Sequence, residues 1–136
     1  MDIQKKISPS PNTNQISYTP NTHIQNYDYC TIDDFGTRKW FFNDLLHRIT
    51  GPAIDCKNGK KEWWQNGLRH RINAPAMTWP NGKSEYWVNG KLHRPDGPAI
   101  IYEDGTYEWW LDGKQYAEDL YRIKQFFNGY NITNFD

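Results

Sequence analysis

Gly59-Lys60-Lys61-Glu62-Trp63-Trp64-Gln65-Asn66-Gly67 holds two turn signals with an aromatic run between them. Asn-Gly favours a tight hairpin turn of type I′, because both central residues then need positive φ. A short run rich in Trp, bounded by such turns, reads as a hairpin strand. The stretch just before it ends in Asn58-Gly59, a second signal of the same kind.

Outward from this stretch the pattern recurs at a step of twenty-three residues, about three and a half times. Gly36, Gly59, Gly82 and Gly105 keep the step, as do Trp40, Trp63, Tyr86 and Trp109. Phe41, Trp64, Trp87 and Trp110 follow them. His47, His70 and His93 form another column, each with an arginine after it: Arg48, Arg71 and Arg94. Gly51-Pro52-Ala53, Ala74-Pro75-Ala76 and Gly97-Pro98-Ala99 close the first three repeats; the last ends Gln115-Tyr116-Ala117, with no His-Arg and no Gly-Pro-Ala.

Each later repeat has one turn of the Asn58-Gly59, Asn81-Gly82, Asp104-Gly105 column and one of the Asn66-Gly67, Asn89-Gly90, Asp112-Gly113 column, while the first has the weaker signals Phe35-Gly36 and Asn43-Asp44. Read as two-residue turns, they set the register. Around the second column Trp63 opposes His70, Tyr86 opposes His93, Glu62 opposes Arg71 and Glu85 opposes Arg94. Around the first, Ile54 opposes Trp63, Met77 opposes Tyr86 and Ile100 opposes Trp109. One face then gathers Trp40, Trp63, Tyr86 and Trp109 with His47, His70 and His93, and is expected to pack, the imidazoles stacking on those rings. The other gathers Trp64, Trp87 and Trp110 among Glu–Arg pairs, and is expected to be exposed.

The ends differ. Residues 1–30 have no period and carry Pro9, Pro11 and Pro20 among polar residues, which reads as an extended or disordered arm. The sharper reading docks that arm on its own sheet or on a neighbour through Tyr18, Tyr27 and Tyr29. Residues 31–116 are the hairpin array. In 117–136, Leu120, Ile123 and Phe127 fall at helical spacing after Glu118 and Asp119, with Gly129 as a stop. This predicts a capping helix over the last edge strand, followed by a tail.

The 136 residues carry 16 Lys plus Arg against 16 Asp plus Glu. Zero net charge disfavours a nucleic-acid partner, which needs uncompensated basic charge. No run approaches the roughly twenty apolar residues of a membrane span. Two cysteines, Cys30 and Cys56, are too few for a disulfide framework, and no apolar segment follows the N-terminus. A cytoplasmic chain is the expectation.

Residues 59–67 resemble the MORN family of repeats, which run at about this period and form successive β-hairpins in a single-layer sheet. The longer string from Asn89 to Ala99, with its His-Arg-x-x-Gly-Pro-Ala ending, is similar to a variant found in phage and giant-virus proteins. The resemblance spans roughly residues 35–116. The Tyr-x-Gly that precedes the central Trp in that family is absent here. The resemblance implies a scaffold for protein contacts with no catalytic residue. It also implies a viral or phage-type chain that binds a host or virion protein.

The same residues bear on other chemistries. Equivalent strands two spacings apart lie about 9.5 Å from each other. That is too far for His47, His70 and His93 to share one ion with ligands at about 2.0–2.3 Å. No cofactor is indicated. Repeated columns also disfavour catalysis, which needs one asymmetric constellation. Lys57, Lys60, Lys61, Arg69 and Arg71 beside Trp63 and Trp64 form the one basic cluster a nucleic acid could use.

The sequence therefore predicts a mainly β chain: an elongated antiparallel hairpin sheet with a C-terminal helix. It predicts a non-enzymatic protein-interaction module whose partner is a host or virion protein, with homo-oligomers allowed. The candidate contact residues are Trp64, Trp87, Trp110, Arg69, Arg71 and Arg94. The alternatives are a structural virion component and an aromatic-groove binder of a small ligand or carbohydrate. The latter is like bacterial wall-binding hairpin repeats, whose rings cage choline or sugars.

Overall fold

In a computed structural model of the protein, residues 5–7 and 27–129 are described. The expectations for Tyr18, for most of the arm at 1–30 and for the tail after Gly129 fall outside them. The chain divides into two compact units, Met1–Leu68 and Arg69–Asp136.

The first unit contains β1 (Lys5–Ile7), β2 (Tyr29–Ile32), β3 (Arg38–Phe42), β4 (Leu45–Leu46), β5 (Ile54–Asp55), β6 (Lys61–Glu62) and β7 (Trp64–Gln65). β8 (Leu68–Arg69) begins at its end. Every pairing is antiparallel: β1 with β2, β2 with β3, and β5 with β6. β3 divides its other edge between two partners. Lys39 faces Ile54 of β5, whereas Phe41 faces Leu46 of β4. Trp40 is the hand-over point. Its N–H donates to Ala53 O (2.8 Å) and its C=O accepts from His47 N–H (3.0 Å). No backbone group at Trp40 is left unpaired by the switch.

The second unit contains β9 (Met77–Thr78), β10 (Ser84–Glu85), β11 (Trp87–Val88), β12 (Lys91–Leu92), β13 (Ile100–Ile101), β14 (Tyr107–Leu111), β15 (Lys114–Tyr116) and α1 (Glu118–Gly129). Tyr86 repeats the hand-over, donating to Ala99 O (2.7 Å) and accepting from His93 N–H (3.0 Å). The architecture is thus mainly β, built of antiparallel hairpins with one C-terminal helix.

The second turn column forms as expected. Asn66 and Gly67 have φ of 50° and 77°, Asn89 and Gly90 49° and 77°, Asp112 and Gly113 50° and 78°. Positive φ at both residues is the type I′ signature. The register follows, with Trp87 opposite Leu92 and Trp109 opposite Tyr116.

The first turn column departs from expectation. Gly59, Gly82 and Gly105 are left-handed, but Asn58, Asn81 and Asp104 are not. Gly59 N–H donates to Cys56 O (2.9 Å), and Cys56 N–H donates to Lys60 O (2.9 Å). The loop is therefore three residues, a type I turn closed by a glycine bulge. The same pair of bonds closes 79–83 and 102–106. Asn58 Oδ1 accepts from Lys60 N–H (3.0 Å), which holds the carboxamide as a turn brace and not as a left-handed residue. The extra residue moves the register by one. Ile54 faces Glu62, Met77 faces Glu85 and Ile100 faces Glu108, in place of Trp63, Tyr86 and Trp109.

The core is thin. Ala53, Ala76 and Ala99 are wholly buried, joined by Trp40, Met77, Ile100, Leu111 and Tyr121. The helix docks by a face other than the expected one. Tyr121 is buried, its ring 4.6 Å from Trp109 on β14, while Leu120, Ile123 and Phe127 are each at least half exposed. Position 121 lies about 100° round the helix from position 120, so burying one turns the other outward. The Tyr121 hydroxyl makes the choice. It donates to Arg94 O (2.7 Å) and accepts from Gly97 N–H (3.1 Å), bonds that leucine cannot offer. β15 remains an edge of its sheet.

Candidate functional site

Trp64, Trp87 and Trp110 take one posture. Each is half-buried, and each indole N–H donates to the glutamate two residues before it. The distances are 3.0 Å to Glu62, 2.9 Å to Glu85 and 2.8 Å to Glu108. In β14 residues 108 and 110 share a face of one strand; Glu62–Trp64 and Glu85–Trp87 keep the same contact across the one-residue breaks at Trp63 and Tyr86. A lysine two residues earlier completes the ladder, with Lys60–Glu62 at 2.8 Å and Lys83–Glu85 at 2.9 Å. In the last repeat Thr106 replaces that lysine, and Tyr102 and Gln115 bond Glu108 instead. The sequence reading paired Glu85 with Arg94. The structure instead gives Glu85 to Lys83 and Trp87, and Arg94 to Asp96 (2.9 Å).

The arginines brace their own loops. Arg48, Arg71 and Arg94 each donate Nη1 to the carbonyl of the proline four residues on, at 3.2, 3.1 and 3.2 Å. Arg48 and Arg94 lie over Trp40 and Tyr86, 4.0 Å from the ring centroids. The imidazoles were expected on those rings. His47 instead lies 5.5 Å from Phe42. Burial pushes the Arg71 guanidinium below its ordinary value. Arg69 sits 5.3 Å from the Trp87 ring.

The histidines bind the next repeat's turn. His47 Nδ1 accepts from Asn66 N–H (2.9 Å), His70 Nδ1 from Asn89 N–H (3.1 Å) and His93 Nδ1 from Asp112 N–H (3.0 Å). An accepting Nδ1 places the ring proton on Nε2. Among the described residues, no three His, Cys, Asp or Glu side chains gather as metal ligands would.

Asp28 was not singled out by sequence reasoning. Its N–H donates to Phe41 O (2.6 Å) and its carboxylate accepts from Asn43 N–H (2.7 Å). It thereby does for the first repeat what the His-Arg pair does for later ones. Tyr27 meets Trp40 edge-on, and Tyr29 stacks on Phe41 at 5.0 Å. The signal was an acid where the twenty-three-residue period has run out, and period alone does not expose it.

Tyr86, Arg71, His93 and Arg94 line a cavity of about 400 Å³, with Ile72 and Pro95 at its side. It opens on the face expected to pack. Neither aromatic column is wholly buried or wholly free: Trp63, Tyr86 and Trp109 are half-buried like Trp64, Trp87 and Trp110. Cys30 and Cys56 are free thiols, and burial pushes Cys30 up. Among the described residues no helix is long and apolar enough to cross a membrane.

No protein-family model, no curated protein and no solved structure matches the chain.

Proposed function

We propose that the chain is a non-enzymatic, MORN-like protein-interaction module, its contacts centred on Trp64, Trp87 and Trp110. A host or virion protein is the proposed partner, as the phage and giant-virus resemblance implies. What carries the reading is the repeated indole–glutamate lock, which holds three half-exposed Trp rings in one posture. Rigid aromatic anchors lose little entropy on binding and recur where proteins meet. Arg69 lies beside Trp87, 5.3 Å from its ring. Arg71 and Arg94 are occupied with loop carbonyls and contribute through the loops they hold.

The small-ligand alternative fits less well. A quaternary ammonium needs the open face of an aromatic ring. Among the rings that could line such a groove, Trp64, Trp87 and Trp110, the Arg69 guanidinium already sits over Trp87 at 5.3 Å.

Immobilised full chain should capture a partner protein from extracts of its native cell. Trp87→Ala with Trp110→Ala should reduce capture by about tenfold or more, a loss of roughly 1.4 kcal/mol. The melting temperature should fall by only a few degrees. A melting temperature that falls in step with capture would make those rings core and end the proposal.

A further inference from the structure

The repeats show what each outer hairpin strand offers its successor. Leu46 O accepts from Gly67 N–H (2.9 Å), and Arg48 N–H donates to Trp64 O (3.0 Å). In the second unit Arg69 O accepts from Gly90 N–H (2.9 Å), while Arg71 N–H donates to Trp87 O (3.0 Å). Leu92 O and Arg94 N–H do the same with Gly113 N–H (2.9 Å) and Trp110 O (3.1 Å). Twenty-three residues on, the corresponding groups are Gln115 C=O and Ala117 N–H. Residues 117–136 do not continue the repeat. β15 ends its sheet, and neither group has a backbone partner among the described residues.

The first repeat is closed by Asp28, but β15 has no such closure. Tyr116 stands where a histidine would be, and Ala117 where an arginine would be. Helix α1 docks on Trp109 through Tyr121 and reaches β15 through Lys124 on the Tyr116 side chain, without pairing with the β15 backbone edge. Charges of both signs lie near the edge: Glu118, which follows Ala117, pairs with Arg122 (2.7 Å), and Asp119 Oδ1 accepts from Leu120 N–H (2.8 Å), while two lysines reach Tyr116. Lys114 and Lys124 flank the Tyr116 ring, at 5.5 and 5.0 Å from its centroid, and Lys124 Nζ also donates to the Tyr116 hydroxyl (3.0 Å). Neither ammonium forms an ion pair among the described residues.

We propose that the edge of β15 is a strand-addition site for an extended acidic segment of the partner protein. This deepens the protein-interaction reading and rests on it. The incoming backbone donates an N–H to Gln115 O and accepts from Ala117 N–H, as each repeat does for the one before it. Its carboxylates meet Lys114 and Lys124. Strand addition of this kind draws affinity from main-chain bonds and selectivity from side chains.

The probe is a blocked peptide of about twelve residues alternating Val and Glu, titrated into the full chain while amide shifts are followed. The Ala117 amide should move most. Ala117→Pro removes the donor at the helix entrance, where proline is tolerated, and should weaken binding about tenfold. Lys114→Glu with Lys124→Glu should abolish it without touching the backbone, which serves if Ala117→Pro fails to fold. A Val-Lys peptide should not bind. Equal binding to Ala117→Pro, no binding to the unaltered chain, or shifts confined to Trp64, Trp87 and Trp110 would each overturn the proposal. So would a concentration-dependent dimer that Ala117→Pro dissolves. Partner capture that survives Ala117→Pro but is lost in the double Trp variant leaves the interaction role standing and removes only the edge.

Discussion

Tyr121 is the residue on which the helix attachment rests. Its hydroxyl bonds Arg94 O and Gly97 N–H, and its ring packs on Trp109. Tyr121→Phe keeps the ring and leaves both backbone groups without that partner, so it should cost about 1–2 kcal/mol in urea unfolding. Burial raises the Tyr121 phenol above the tyrosine value of 10.0. A raised folded-state value means this contribution is whole below pH 10.0 and is lost as pH rises through the folded value. The unaltered chain should therefore lose stability more steeply above that pH than Tyr121→Phe does. Parallel curves would refute the assignment. At this scale the columns were legible and the contacts were not. The Glu62, Glu85, Glu108 column has the same period as the tryptophans, yet nothing in a string of letters says that it binds Trp two residues on and not Arg across the hairpin.

At the scale of the turn, two dipeptides that look alike in sequence fold differently. Asn66-Gly67 makes a two-residue turn; Asn58-Gly59 is the end of a three-residue loop. Pro80 was the readable clue. In a two-residue turn at Asn81-Gly82, position 80 would close the ladder with its N–H, which proline lacks. In the loop that forms, Pro80 occupies the first central position of a type I turn, where its fixed φ is favourable. Lys57 is exposed and holds the corresponding place. Lys57→Pro should thus raise the free energy of unfolding by about 0.4–1 kcal/mol. A loss of stability would restore the two-residue turn and its register. The consequence of the loop is large because side chains alternate: one added residue exchanges the partners of Ile54, Met77 and Ile100.

At the scale of the molecule, the array is closed differently at its two ends. Asp28 satisfies the first repeat through its backbone and carboxylate, whereas α1 covers a ring and leaves β15 open. The helix also carries Leu120, Ile123, Phe126 and Phe127 at half exposure or more. Phe126→Ser with Phe127→Ser should change unfolding free energy by less than about 0.5 kcal/mol each, while lowering the binding of a hydrophobic dye. A marked drop in the denaturation midpoint would show those rings packed. The period, the type I′ turns of the second column and the presence of a terminal helix were determined by the sequence itself. They depend on local backbone preferences and on spacing along one chain. Which helix face docks, which register the first turn column takes, and which partners Glu and Arg choose were decided only by tertiary structure. Those outcomes turn on whether buried N–H and C=O groups find partners, and that depends on which segments meet in space.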